Sequence, residues 1–392
     1  MPFDGYKLKT PLRVALFSGN YNYTLDGANK ALNRLVDHLE QVEGFKVRVY
    51  SPTSPTPAFE PKGELVSVPS VAIPMRADYR LALGLPDSIK RNVEAFAPDI
   101  VHLSAPDLLG HGALKLARRL GIPAVASLHT LFETYLDYYA LGWLRPAVER
   151  RLQAFYAGCD FVLAPTQPIA ERLARQGLAG QVRLWGRGVD GALFSPDRRD
   201  LAWRRENGLP DEAVAVAFFG RLVMEKGLAV FVEAVERIAA ARPSARVLVI
   251  GDGPARGWME ERLPKATFTG FLTGEPLARA VASADLMLNP SKTETFGNVT
   301  LEAMASGLPV VGADALYHRA LLSDGETGLL CPAEDSEAYA AAVLSLIDDP
   351  QRRLAMAQAA RAASGAYQWR QILAGVADIY REAVAARTPA AA

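Results

Sequence analysis

Two cysteines in 392 residues leave no material for a disulfide framework. Cys159 and Cys331 stand far apart and without metal-ligand spacing, so they read as buried thiols of a cytosolic protein. Net charge is lacking too. Lys plus Arg and Asp plus Glu both number 43, and bulk charge therefore points to no nucleic-acid partner. No N-terminal stretch has the charged-then-apolar form of a signal peptide. No apolar run reaches the ~18 residues that a membrane span needs. No Asp-x-Asp occurs. The chain is expected in the cytoplasm, with room for peripheral contact at the inner face of a membrane, and its final "ARTPAAA" reads as a disordered tail.

What is present is hydrophobic and periodic. Hydrophobic residues make up 50% of the chain, enough for two full-sized cores. "LRVALFSG" is a short β-run that stops at glycine, and a helical segment over residues 27–41 follows it. "KVRVYSP", "DIVHLSAP", "IPAVASLHT" and "DFVLAPT" continue the series with helical stretches between them. Strand–helix alternation predicts a parallel, doubly wound sheet, which binds ligands at the carboxyl ends of its strands. The alternation restarts in "VAVAFFGR", "ARVLVIGDG", "ATFTGF", "DLMLNPS" and "LPVVGAD". Between the series, "VRLWGRGVDGALFSPDRRD" reads as a domain connection. Two similar α/β domains facing across a cleft are expected.

The second series carries the chemistry. "FFGRLVMEKG" sets Gly220 and Arg221 just past a strand and Lys226 before a helix that starts near Gly227. Two cations at a strand end and a helix start suit a diphosphate, while two surface cations on a loop are the plainer alternative. The glycine turn "GDGP", with Gly251 and Gly253, and the strand end at Gly270 and Phe271 add backbone that can approach a ligand. "TETFGNVTLEAMASGLP" enters a helix whose first amides, near Phe296, Gly297 and Asn298, face whatever lies before it. Gly297 spares that spot a side chain. Glu294 precedes the helix and Glu302 lies within it, eight residues on, up to ~12 Å away at 1.5 Å per residue. That reach matches a sugar and a ribose joined through a diphosphate. The pair would grip the two polyol ends of a nucleotide sugar. Two solvated glutamates are the alternative; it fits Glu294 better than Glu302, whose flanks read as buried.

These motifs resemble the retaining glycosyltransferases of family 4, of the GT-B fold. "GRLVMEKG" and "ETFGNVTLE" carry the likeness, with "VRLWGRGVD", "VIGDGP", "ASADLMLNPS", "LEAMASGLPVVG" and "GETGLL" in the family's order. "VRLWGRGVD" and "LHTLFETYLDYYALGWLRP" are most similar to GDP-mannose-dependent α-mannosyltransferases acting on glycolipids and to sulfoquinovosyldiacylglycerol synthases. The resemblance implies Arg221 and Lys226 on the diphosphate, Glu294 on the donor sugar and Glu302 on the ribose. It places His129, in "SLHT", near the reaction centre, and Gly27, in "TLDGANKAL", near the donor phosphates and acceptor. His129, Arg221, Lys226 and Glu294 are thus the implied catalytic set. It also implies a first domain over residues 1–187, to which 367–392 cross back, and a donor-binding domain over 188–366.

Two departures stand out. After "VVG" comes "ADALYHRALL" rather than paired glycines with an acid, which puts the sugar pocket near Asp314 and His318 in question. The N-terminal loop has one glycine where many relatives have two. The resemblance implies a hexosyltransferase that needs no cofactor and no metal. Mannose from GDP-mannose is the leading donor, and UDP-glucose, UDP-glucuronate or UDP-sulfoquinovose come next. The acceptor would be a lipid or glycolipid, and the aromatic, arginine-bearing block over 132–156 would touch an anionic membrane. A soluble or polysaccharide acceptor, a non-catalytic nucleotide-sugar-binding module, and an epimerase or phosphorylase on the same fold are the other readings. Closure of the two domains on the donor, about 186–191 and 367–369, is expected.

Overall fold

The computed structural model describes residues 11–24, 26–73, 76–129 and 142–387. Two compact units divide the chain: Met1–Gly186 with Arg370–Ala392, and Arg187–Trp369.

The first unit is built on seven parallel strands in the order β3-β2-β1-β6-β7-β8-β9. They are β1 (Arg13–Phe17), β2 (Lys46–Ser51), β3 (Glu64–Ser67), β6 (Ile100–Leu103), β7 (Ala124–Ser127), β8 (Phe161–Ala164) and β9 (Val182–Leu184). An antiparallel hairpin, β4 (Ser70–Ile73) with β5 (Arg76–Ala82), stands apart from the sheet. β6, β7 and β8 are buried along their whole length, as strands covered by helices on both faces must be. The helix Gly27–Gln41 turns Ala31, Leu32, Leu35, Val36 and Leu39 inward at helical spacing, and Asp26 caps its start. The sequence's domain connection is shorter than expected. Its opening residues, Val182–Leu184, pair with β8 and form the sheet's edge.

The second unit holds six parallel strands in the order β12-β11-β10-β13-β14-β15. These are β10 (Ala215–Phe219), β11 (Arg246–Ile250), β12 (Thr267–Gly270), β13 (Leu286–Asn289), β14 (Val310–Ala313) and β15 (Gly328–Cys331). β15 falls in "GETGLL", which alternation alone does not pick out as a strand. Phe218 of β10 meets Phe231 of the helix Leu228–Ala241 edge to face, with centroids 5.3 Å apart, at the middle of one core layer. At the amino-terminal edge of this sheet the buried Arg204 donates to the carbonyls of Ser283, Pro210 and Ala213 and pairs with Asp285 at 3.1 Å. Asp285 in turn accepts from the Ala215 amide at 2.7 Å, which pins the start of β10. Both terminal guanidinium nitrogens of Arg204 are thereby satisfied, while its Nε is buried without a partner among the described residues.

Both cysteines are free and buried, and burial pushes their thiols up, Cys159 to about 12 and Cys331 to about 11.

Candidate active site

In the second unit the strand order reverses between β10 and β13. A ligand of a doubly wound sheet binds at that reversal, beyond the carboxyl ends of the two strands. The loops there are 220–227 after β10 and 290–297 after β13. Gly227 brings them together. It sits at φ +74°, and a Cβ on it would lie 2.7 Å from the Pro290 carbonyl oxygen, so only glycine permits the approach. As a result Lys226 forms an ion pair with Glu294, 68 positions away in sequence, and Thr293 donates to the Glu225 carbonyl at 3.4 Å. Both side chains of the ion pair stay about a quarter exposed, at 24% and 26%. Arg221 is exposed, and its side chain makes no ion pair or hydrogen bond among the described residues.

The glycine turn after β11 is laced to the turn after β10. Leu222 donates to the Asp252 carbonyl at 2.9 Å, and Ala255 donates back to Leu222 at 3.0 Å. Gly251 donates to the Gly270 carbonyl at 3.1 Å, which ties in the end of β12. Gly251 and Gly253 also lie so close to the Gly220 and Leu222 carbonyls that a Cβ on either would clash, and Phe271, which follows Gly270, is 65% exposed.

Two helices begin at this edge without a side-chain cap, Leu228–Ala241 after Gly227 and Asn298–Ala305 after Gly297. Asp335 and Asp349 cap their own helices in this unit, whereas Arg256–Arg262, Gly274–Ala282 and Leu316–Leu321 also start without a side-chain cap. The uncapped amides keep their donor capacity and the positive end of the helix dipole. Asn298 adds an acceptor, since its Oδ1 is buried without a hydrogen-bond partner among the described residues. Glu302 lies half-buried in the second turn, between the fully buried Leu301 and Ala303.

Three positions carry constraints that the sequence does not show. Gly297 is glycine because of the protein itself: it sits at φ +88°, and a Cβ would lie 2.5 Å from the Tyr317 ring. The Phe296 ring is 4% exposed and packs edge-on to Tyr367, so only its backbone remains for a ligand. His318 lies inside the fold. It is fully buried, with Nδ1 2.8 Å from the Ala313 carbonyl and Nε2 3.1 Å from the Thr300 hydroxyl. Asn289 at the end of β13 donates to the same hydroxyl at 3.2 Å. This network fastens the helix Asn298–Ala305 to β13 and β14. Burial pushes the imidazole down to about 4, so Nδ1–H donates to the carbonyl and Nε2 accepts. Asp314 is paired with the exposed Arg319.

In the first unit the reversal falls between β1 and β6. Gly27 opens the helix there, next to Asp26, which accepts from the Asn29 amide at 2.8 Å. Asn20, Thr24, Asp26 and Asn29 bond one another into a braced loop. Gly19, at the end of β1, lies so close to Asp107 that a Cβ would sit 2.3 Å from its carboxylate. Asp107 follows β6, caps the helix Leu108–Leu120 through Gly110 at 2.7 Å, and has its carboxyl pushed up by burial. "APDLLG" carries the capping signal, but nothing local marks its contact with Gly19. His129 stands just past β7. Its Nε2 lies 2.8 Å from the Ser127 hydroxyl, which lies 2.9 Å from Nε2 of His102. His102 continues to the Tyr380 hydroxyl, 278 positions on. The chain of partners behind His129 escapes sequence reasoning because Ser127, His102 and Tyr380 come from three separate elements.

Comparisons with known proteins identify the family. Residues 25–192 match the Glycosyltransferase Family 4 model, and residues 213–349 match Glycosyl transferases group 1. A GDP-mannose-dependent alpha-mannosyltransferase of Mycolicibacterium smegmatis is 36% identical, over 87% of this chain and 90% of its own. The chain belongs to glycosyltransferase family 4. This family 4 glycosyltransferase is an enzyme of sugar transfer. It is also 32% identical to the sulfoquinovosyl transferase SQD2 of Arabidopsis thaliana, over 94% of its length and 73% of that protein's. Among solved structures, sucrose-phosphate synthase from Thermosynechococcus elongatus superposes with a TM-score of 0.77 at 23% identity, over 96% of this chain and 100% of that one. The glycosyltransferase has the GT-B fold. Among its described residues, no helix is long and apolar enough to cross a membrane.

Proposed function

We propose that this enzyme is a retaining hexosyltransferase that moves a hexose from a nucleotide sugar, GDP-mannose foremost, to a hydroxyl of a lipid or glycolipid. One observation carries the reading: the Lys226–Glu294 pair and the unpaired Arg221 lie at the β10–β13 reversal, beside two uncapped helix starts. The relatives named for GDP-mannose and for sulfoquinovose transfer support a nucleotide-sugar donor and favour mannose.

The second unit is the donor half. A diphosphate draws Lys226 from Glu294 and takes Arg221 and the uncapped amides as well. Glu294, released, accepts from hydroxyls of the sugar, and Glu302 accepts from the ribose. The bond from the anomeric carbon to the phosphate oxygen breaks as the acceptor oxygen approaches on the same face. The acceptor proton passes to the departing diphosphate, so configuration is retained. Charge grows on the leaving phosphates, where the cations and helix dipoles lower the barrier. The family resemblance assigns His129, a residue of the first unit, to the reaction centre.

The lipid reading has support in the first unit. A cleft of about 410 Å³ is lined by Leu83 and Leu108, 67% and 48% exposed, with Lys90, Lys115, Arg119 and Arg151 around them. Lys90 and Arg119 are paired with Asp87 and Glu94, while Lys115 and Arg151 form no ion pair among the described residues. Apolar side chains ringed by cations suit the headgroup level of an anionic membrane. Of the block expected to touch the membrane, residues 132–141 lie outside the described residues. In the remainder Trp143 is 76% exposed, Arg145 faces Glu149 at 3.8 Å, and Arg151 enters the cleft.

The test is a transfer assay with GDP-mannose, offered diacylglycerol-based glycolipids in anionic liposomes and, separately, soluble oligosaccharides. The reading expects GDP release coupled to an α-linked lipid product, and less of it for Lys115→Glu/Arg151→Glu. Inverted product would refute the retaining mechanism. Efficient transfer only to the soluble acceptor would refute the lipid.

A further inference from the structure

The hydrogen bonds that reach His129 run in one direction, and that direction fixes its tautomer. His102 and Tyr380 are fully buried, at 0% exposure each. Burial pushes the His102 imidazole down to about 3, so the ring is neutral and has one donor and one acceptor nitrogen. Burial also raises the Tyr380 phenol far above its usual range, so its proton stays on. Among the described residues that hydroxyl meets one hydrogen-bonding partner, Nδ1 of His102 at 2.5 Å. Tyr380 must therefore donate to Nδ1, because the opposite assignment strands a buried hydroxyl proton.

The rest follows by counting protons. His102 carries its proton on Nε2 and donates to the Ser127 hydroxyl at 2.9 Å. Ser127 then spends its own proton on Nε2 of His129 at 2.8 Å. Trp185 stands edge-on to both imidazoles, with centroids 5.8 Å and 5.3 Å away, and holds their ring planes. We propose that Tyr380, His102 and Ser127 are positioning residues that lock His129 as the neutral tautomer with its proton on Nδ1. Any bond His129 makes through its other nitrogen is then donated, which suits a sugar hydroxyl oxygen and rules out a base at that atom. This rests on the assignment of His129 to the reaction centre.

The experiment is histidine-selective ¹⁵N labelling of the full chain, whose five histidines keep the spectrum sparse. Two-bond ¹⁵N–¹H correlations at neutral pH show which ring nitrogen bears the proton, and His129→Asn assigns the signal. The proposal expects one tautomer for His129, protonated at Nδ1. In Tyr380→Phe the directing proton is gone, so the Nε2-protonated form should appear and kcat should fall about tenfold or more with donor KM nearly unchanged. That loss stays short of the ~10,000-fold that a wrong tautomer costs where the imidazole is itself the base. A wild-type His129 protonated at Nε2 overturns the proposal without any variant. An unchanged tautomer in a folded Tyr380→Phe overturns it as well. If the tautomer is as expected but His129→Asn transfers sugar at full rate, the relay stands and the reaction-centre role of His129 falls.

Discussion

At the scale of single residues, the informative change is the one from separate charges to a pair. Sequence motifs assign Lys226 to phosphates and Glu294 to a sugar, yet the two side chains hold each other. A ligand must compete with that bond, and the two halves of a nucleotide sugar feel it differently. Glu294→Gln should weaken the nucleotide sugar, which loses a carboxylate, and leave the free nucleoside diphosphate unchanged or tighter, because Lys226 is released. Calorimetry with both ligands decides it; equal losses would mean that the pair is bystander to binding. His318 gives a second residue-scale prediction. Its folded value, about 4, lies below its ordinary 6.5, so its contribution is full above about 6.5 and is lost as pH falls toward 4. The difference between the two values amounts to roughly 3 kcal/mol. The stability gap between wild type and His318→Gln, from denaturant unfolding, should narrow across that window and stay constant below it. A gap independent of pH would mean that His318 titrates alike in the folded and unfolded chain. The position of His318 in "ADALYHRALL" gave no hint of this, since its partners Thr300 and Asn289 belong to other elements.

At the scale of elements, alternation of short apolar runs and helices suffices to read a doubly wound fold, because fully buried parallel strands have no other sequence form. The runs at β1, β10 and β13 stand out for that reason. β3, β9 and β15 do not: β3 and β9 are edge strands whose residues are largely half-buried or exposed, and β15 is a four-residue edge with a half-buried middle. Edge strands lack the apolar signal that central strands need. The glycines behave similarly. Their presence in "ETFGN" is visible in sequence, but their reasons are tertiary. Gly297→Ala forces a Cβ toward the Tyr317 ring at a positive φ, and should cost about 1–3 kcal/mol by urea denaturation while shifting the uncapped helix start. Unaltered stability would show that Tyr317 yields freely, and the hydrogen bond from its hydroxyl to the Ser291 carbonyl at 2.8 Å argues that it does not.

At the scale of the whole molecule, the two sheets have their strand reversals at matching places, β1–β6 in one unit and β10–β13 in the other. Each reversal gathers polar groups that no local pattern joins: Asn20, Asp26 and Asp107 in the first, Arg221, Lys226 and Glu294 in the second. Topology converts distant motifs into a site, which is why their order in sequence was legible and their contacts were not. The claim on which the rest depends is that the second reversal grips the diphosphate of the donor. Calorimetric titration of GDP, with UDP alongside, into wild type and into Arg221→Ala/Lys226→Ala tests it most directly. One of the two nucleotides should bind wild type, and the double variant should lose at least about tenfold in affinity, ~1.4 kcal/mol, with the fold intact by circular dichroism. Undiminished affinity in the double variant would place the diphosphate elsewhere and contradict the site.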